Sequence, residues 1–188
     1  MAAGGPHARS GASMTPFRVL FVCIGNVCRS PLGERLLAAR LKPEAFAVSS
    51  AGIGAMVGSP MAPEAAQHLE AYGGSADGFA AQQLTPAMVA ESDLVLTATK
   101  AIRSRVLEDT PTALRRTFTV LELAALLDVV PGEGGPEVLV RTAANERSRA
   151  ALDDYDVPDP YGRGDEAHAE AARLMAVAVE RIAKGLDQ

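Results

Sequence analysis

Residues 17–31 read FRVLFVCIGNVCRSP, and this stretch decides the fold. Its first six residues, 17–22, form a short, largely apolar segment that contains β-branched residues, a pattern typical of a buried parallel strand. The strand runs into a glycine-containing turn, and apolar residues then recur at helical spacing from Ser30 to about Leu41. Pro31 suits the first turn of that helix, where a backbone amide has no partner to lose. The stretch therefore predicts a strand, a tight loop and a helix in direct succession.

Short apolar strands alternate with helices along the rest of the chain. Further strands are predicted at 46–50, 93–97 and 117–120, and helices at about 63–72, 86–92, 101–108 and 165–184. This alternation is typical of an α/β fold in which a parallel four-stranded sheet has helices on both faces. Ligands of such folds bind beyond the carboxyl ends of the strands, and Cys23 lies at such an end.

The 188 residues are enough for one globular domain. Residues 1–16 are rich in Gly, Ala and Ser without periodicity, and we predict a disordered tail there. Residues 17–188 form the predicted domain. Between about 128 and 156 the pattern weakens into a Pro- and Gly-rich segment and a charged helix, which we interpret as a surface insertion.

Composition excludes several classes of protein. Hydrophobic residues make up 48% and charged residues 22%, so the chain can bury a core and is not wholly disordered. A net charge of −5 argues against nucleic-acid binding through a general basic surface. No apolar run is long enough to span a membrane and no secretory signal is present, so we expect a cytoplasmic protein. Cys23 and Cys28 lack partners at metal-site spacing, and we predict neither a metal nor another cofactor.

The loop after the first strand has the composition of an oxyanion-binding site. Cys23 stands six residues before Arg29, which begins a helix. A loop of this length can turn its amides toward one tetrahedral oxyanion, and Gly25 and Asn26 tolerate the left-handed backbone that such a loop needs. Arg29 can hold two phosphate oxygens with its planar guanidinium, and the helix N-terminus adds positive potential. These surroundings favour the thiolate of Cys23, a nucleophile that can attack phosphorus, and Ser30 is placed to donate a hydrogen bond to the sulfur.

This loop resembles the signature loop of the low-molecular-weight protein tyrosine phosphatases. The resemblance predicts a general acid in an Asp-Pro-Tyr motif near the carboxyl terminus, and residues 159–161 read Asp-Pro-Tyr. It extends to residues 50–52 and 93–97, so it covers nearly all of the chain after residue 16. The implied fold is flavodoxin-like, of the phosphotyrosine protein phosphatase I type. The implied activity is phosphomonoester hydrolysis without a metal.

The resemblance also implies a role for each residue of the two motifs. Cys23 is the nucleophile that forms a cysteinyl phosphate, and Asp159 is first the general acid and then the base. Tyr161 lies at the rim of the cleft. Cys28 either forms a reversible, protective disulfide with Cys23 or is a small buried residue beneath the loop. The residues implied to bind the phosphate are Ile24, Gly25, Asn26, Val27, Cys28, Arg29 and Ser30.

Several substrates are compatible with these residues. Phosphotyrosine in a protein is the first candidate, because the apolar Val27 suits the face of a ring better than a guanidinium. Residues 53–58 lack the Trp-His pair of many members and resemble bacterial members that act with tyrosine kinases, so such a kinase is a candidate partner. The alternative on the same scaffold is phosphoarginine.

Two further alternatives are less well supported. A thiol arsenate reductase needs additional cysteines downstream of the loop, and the sequence has none after Cys28. A non-catalytic phosphate-binding module would be free to lose Cys23, Arg29 and Asp159, and all three are present.

Overall fold

The computed structural model describes residues 15–130 and 134–188, and its centre is a four-stranded parallel sheet. The strands lie in the order β2-β1-β3-β4, which confirms the predicted α/β fold. Their bounds are β1 Phe17–Cys23, β2 Phe46–Gly52, β3 Leu94–Thr97 and β4 Thr117–Thr119. The tail predicted over residues 1–16 lies, apart from its last two residues, outside the described part of the chain.

Helices cover both faces of the sheet. Their bounds are α1 Arg29–Ala38, α2 Pro63–Ala71, α3 Pro86–Glu91, α4 Lys100–Asp109, α5 Val120–Leu126, α6 Pro136–Asn145 and α7 Asp165–Leu186. Short 3-10 turns cover Pro111–Arg116 and Arg147–Arg149. Across residues 15–130 and 134–188, no helix is both long and apolar enough to cross a bilayer.

Strand β1 is buried from both sides, because successive side chains of a strand point to opposite faces of the sheet. Val19 and Phe21 pack with α1, α5 and α7, whereas Leu20 and Val22 pack with α3 and α4. Helix α1 lies very close to the strand that precedes it. A Cβ atom on Gly33 would come within 2.5 Å of the Phe21 ring, so only glycine permits this approach.

Helix α5 follows β4 without a loop, and the sequence pattern does not predict it. The strand expected over 117–120 ends at Thr119, because this residue caps the helix. Its hydroxyl accepts a hydrogen bond from the backbone amide of Glu122 at 3.1 Å, and the Glu122 carboxylate accepts one from the Thr119 amide at 3.2 Å. The reciprocal pair turns the chain from strand to helix within one residue.

Helix α6 lies in the segment expected as a surface insertion. Leu139, Val140 and Ala143 on its inner face are buried in the same core as α7, whereas Arg141 is exposed. The helix is therefore amphipathic and completes part of the core. The surface interpretation holds only for its outer face.

The strand order locates the crevice in which ligands of such sheets bind. From β1 the chain moves to β2 on one side and later to β3 on the other, so the order reverses between β1 and β3. Loops that leave the carboxyl ends of two such strands diverge and open a crevice between them. Cys23 is the last residue of β1 and lies at this point.

Candidate active site

The loop between β1 and α1 packs tightly against the chain that follows β2. The backbone amides of Ile53, Gly54 and Met56 donate hydrogen bonds of 2.9–3.0 Å to the carbonyls of Cys23, Ile24 and Gly25, respectively. Gly52 makes this contact possible. A Cβ atom at Gly52 would lie 2.3 Å from the Ile24 carbonyl oxygen and 3.0 Å from the Asn26 nitrogen, so a larger residue would push the loop away.

These hydrogen bonds also fix the direction of the loop amides. In a trans peptide the amide points opposite to the carbonyl, so the amides of residues 24–26 point away from β2. The Asn26 amide points to the Cys23 sulfur, with an N–Sγ distance of 3.3 Å. Asn26 has a left-handed backbone with φ of 56°, as the sequence predicts. Gly25, expected to share that conformation, does not adopt a positive φ.

The two sequence motifs meet in one cleft of about 230 Å³. The residues of the motifs that line it are Cys23, Ile24, Gly25, Val27, Cys28, Arg29, Asp159 and Tyr161. Asn26 and Ser30 are buried beneath the loop and support it from behind. The Cys23 sulfur lies 2.9 Å from the Ser30 hydroxyl. The sulfur thus has two hydrogen-bond donors within reach, the Ser30 hydroxyl and the Asn26 amide.

Arg29 has one edge of its guanidinium directed into the cleft. The side chain is 4% exposed, and its Nη1 atom donates to the Val157 carbonyl at 3.0 Å. Its Nη2 atom lies 2.9 Å from Oδ2 of Asp159, whereas Nε is buried without a hydrogen-bond partner among the described residues. Nε and Nη2 form an edge that can bind two oxygens of one oxyanion. The Asp159 carboxylate contacts only one of these two atoms.

Asn26 is the centre of a buried polar network that the sequence analysis missed. Its Nδ2 atom donates to the hydroxyls of Ser30 and Ser50, each at 2.8 Å, and its Oδ1 atom accepts from the backbone amide of Gln82 at 2.8 Å. The contact with Gln82 fixes which end of the amide carries the donors. Each hydroxyl therefore accepts from Asn26 and can donate onward, Ser30 to Cys23 and Ser50 to Glu34.

Glu34 ends this network inside α1. Ser50 donates to its carboxylate at 2.5 Å. Burial raises the pKa of Glu34 above its usual value, and the hydrogen bond from Ser50 and the charge of Arg35 oppose that shift. The sequence contains one signal for this contact. Glu34 is a carboxylate five residues after Arg29, on a helix that is expected to pack against the sheet.

Cys28 lines the cleft, is buried in the core that includes α1 and α7, and differs chemically from Cys23. Both residues are free thiols. Burial raises the pKa of the Cys28 thiol to about 12, and the nearby Cys23 and Asp159 add to the shift. Because the thiolate is the reactive form, Cys28 is a poor nucleophile near neutral pH.

Known proteins resemble this chain over nearly its whole length. Residues 18–126 match the sequence profile of the family described as low molecular weight phosphotyrosine protein phosphatase. The low molecular weight protein-tyrosine-phosphatase Wzb of Salmonella typhimurium is 32% identical over 170 residues, which are 90% of this chain and 94% of that protein.

Two solved structures have the same fold. Wzb from Escherichia coli K30 in complex with sulphate superposes with a TM-score of 0.68 at 26% identity, over 90% of this chain and 98% of that one. The YwlE arginine phosphatase from Geobacillus stearothermophilus superposes with a TM-score of 0.68 at 28% identity, over 92% and 94% of the two chains.

The environments of the two thiols predict selective alkylation. Treatment of the native protein with iodoacetamide at pH 7.5 is expected to label Cys23 alone, because fewer than about one Cys28 side chain in 10,000 is a thiolate when the pKa is about 12. Peptide mass spectrometry locates the label. In the matched variant Cys23→Ser, Cys28 should react only after unfolding in urea. Labelling of Cys28 in the native protein would contradict this account of its environment.

Proposed function

The chain belongs to the low-molecular-weight phosphotyrosine protein phosphatase family and is a phosphoric monoester hydrolase, and from this we propose that it hydrolyses phosphotyrosine in proteins through a cysteinyl-phosphate intermediate. The observation that supports the proposal most strongly is the Arg29 guanidinium. Its Nε atom is buried without a hydrogen-bond partner among the described residues, Arg29 and Cys23 line the same cleft, and an oxyanion there would satisfy this donor. Leaving such a donor unsatisfied costs about 1–3 kcal/mol, so its persistence fits a site that is completed by a ligand.

In the proposed first step, the Cys23 thiolate attacks phosphorus. A sulfur–phosphorus bond forms and the bond from phosphorus to the phenolic oxygen breaks. The amides of the loop and the Nε–Nη2 edge of Arg29 bind the phosphoryl oxygens, which carry the charge of the transition state. Asp159 lies in the same cleft and gives its proton to the departing phenolate.

In the proposed second step, water attacks the cysteinyl phosphate. Asp159, now a carboxylate, takes a proton from the water, the sulfur–phosphorus bond breaks and inorganic phosphate is released. The Cys23 thiolate is the leaving group. The hydrogen bonds from Ser30 and from the Asn26 amide stabilise its negative charge, which makes it a better leaving group.

The ion pair between Arg29 and Asp159 fits this sequence of steps. The Asp159 carboxylate lies 2.9 Å from Nη2 of Arg29. A phosphate dianion that binds the same edge displaces the carboxylate, which takes a proton from water and turns to the bridging oxygen. Asp159 is half-exposed, so it can move without opening the core.

We also propose that the protein acts in the cytoplasm on a substrate such as a bacterial tyrosine kinase. A reducing compartment keeps Cys23 as the free thiol that the mechanism requires. A direct reversible disulfide between Cys28 and oxidised Cys23 would protect the nucleophile, although the raised pKa of Cys28 makes that reaction slow. Within residues 15–130 and 134–188, no group of His, Cys, Asp or Glu is arranged to hold a metal ion.

The nucleophile is tested by the variant Cys23→Ser. We expect turnover of a phosphotyrosine peptide to fall by at least about a thousandfold, because a serine hydroxyl has no low-energy anionic form at neutral pH. Binding of orthovanadate or phosphate, followed by the shift in Tm, should persist because the loop amides and Arg29 are unchanged. Residual activity above about a hundredth of the native value would remove Cys23 from this role.

The general acid is tested by Asp159→Asn. Hydrolysis of aryl phosphates with poor leaving groups should slow by roughly a hundredfold or more, and hydrolysis of those with good leaving groups by much less. The matched control is Asp153→Asn, which removes the same charge from an exposed position six residues earlier. The measurement is kcat across a series of phenols of different acidity. An equal loss for every leaving group would contradict the assignment.

The second candidate substrate is phosphoarginine, and one observation favours it. The solved arginine phosphatase YwlE superposes on this chain about as well as the tyrosine phosphatase Wzb does. The side chain that separates the two substrates in our proposal is Val27, which lines the cleft and is 4% exposed. An apolar wall at this position favours a ring over a guanidinium.

The variant Val27→Thr tests this choice. The added hydroxyl can accept a hydrogen bond from a guanidinium, so the ratio of phosphoarginine to phosphotyrosine activity should rise by about ten- to a hundredfold. The control Val27→Ala shortens the wall without adding a hydroxyl, and its ratio should rise much less. The measurement is kcat/KM for matched peptides. A native protein that already prefers phosphoarginine would reverse the order of the two candidates.

A further inference from the structure

Apolar side chains gather at the mouth of the cleft. Ile24, Met56 and Tyr161 line the cleft and are three of the eight large apolar side chains that are exposed in the described residues. Single exposed apolar residues are common on protein surfaces, whereas a contiguous group beside a binding site indicates contact with a ligand or partner. A phosphate group alone would not touch these side chains.

A groove of about 530 Å³ continues from this mouth. It passes between the start of α2 and the loop that precedes α7. Three of its lining residues, Val27, Met56 and Tyr161, also line the cleft at Cys23, so the two spaces adjoin. Farther from the cleft, the groove is lined by Pro60, Glu64 and His168.

Glu64 gives the groove a negative charge. It lies in the first turn of α2, where the helix dipole stabilises a carboxylate. The neighbouring Asp165 pairs with His68 at 2.9 Å, but no ion pair involves Glu64 within the described residues. Arg163 belongs to the loop beside the groove but is not among the residues that line it. His168 is buried in the groove wall.

We propose that this groove binds the residues next to the phosphotyrosine of the substrate protein, and that Glu64 selects a basic side chain among them. The proposal rests on the proposed function, because the phosphotyrosine must occupy the adjoining cleft. An extended chain advances about 3.3–3.6 Å per residue, so a position two or three residues from the phosphotyrosine reaches the groove. The aliphatic part of a Lys or Arg side chain would pack on Met56 and Pro60, with its charged end at Glu64.

The test compares three phosphotyrosine peptides with the native protein and two variants. The peptides carry Lys, Ala or Glu at positions two and three on both sides of the phosphotyrosine and are otherwise identical. The variants are Glu64→Gln and Glu70→Gln. Glu70 lies on the same helix but is exposed and outside the groove. Its variant therefore loses the same charge as Glu64→Gln without changing the groove. This control is needed because a protein of net charge −5 attracts every basic peptide to some degree.

The native protein should hydrolyse the Lys peptide with a kcat/KM about tenfold above that of the Glu peptide. Glu64→Gln should lower this ratio to about two, and Glu70→Gln should keep it near the native value. Equal ratios in the two variants, or no preference in the native protein, would overturn the proposal while the tyrosine phosphatase activity stands. Failure of the native protein to hydrolyse any of the three peptides, while it still cleaves p-nitrophenyl phosphate, would overturn the proposed function and the groove assignment together.

Discussion

The side chain of Asn26 holds the loop between β1 and α1 in place, and the rest of the candidate site depends on it. The residue has a left-handed backbone, which costs a non-glycine residue about 1–2 kcal/mol. Its amide group makes three hydrogen bonds: those to Ser30 and Ser50 are buried, and the one from Gln82 is partly buried. At about 1 kcal/mol each, these bonds offset the strain and tie the loop to the helix after it and to the neighbouring strand. These bonds therefore stabilise the loop conformation in which the Asn26 amide points to the Cys23 sulfur.

The sheet supplies the rigid support for this loop. Gly52 lets the loop rest directly on the end of β2, and Gly33 lets α1 rest directly on the Phe21 ring of β1. Both contacts exclude even a single methyl group. The sulfur at the end of β1 and the guanidinium in the first turn of α1 are thus positioned by elements that cannot move apart without losing core packing.

Local patterns in the sequence predicted those features that depend on neighbouring residues. The strand-loop-helix unit at 17–31 and the meeting of Cys23 with Ser30 follow from short-range spacing, and the structure contains both. The network through Ser50 and Gln82 joins positions 24 and 56 residues away from Asn26, and no periodic pattern encodes such contacts.

Two further differences between the predicted and the observed elements have a local explanation in the sequence. Residues 117–126 read TFTVLELAAL and are largely apolar, and the capping pair Thr119 and Glu122 divides them into strand and helix. In α6 only Glu137 and Arg141 are charged, and the spacing of Leu139, Val140 and Ala143 marks a buried face. The other charges of the segment follow the end of the helix, at Glu146, Arg147 and Arg149. In both segments, the positions of individual residues indicate the observed structure, whereas the overall composition does not.

The proposed function requires an acidic protein to bind a phosphate dianion, and the positions of the charges allow it. The net charge of −5 repels anions at long range, but that repulsion is screened by salt within about 10 Å. Inside the cleft, oriented amides, a helix N-terminus and the buried Arg29 act at short range and in poor contact with water, where they are stronger. In the proposed function, phosphate recognition is therefore local. A phosphorylated segment gains nothing from the protein's overall field unless it brings positive charge of its own. The groove beside the cleft presents to such a charge the Glu64 carboxylate, which has no ion-pair partner among the described residues.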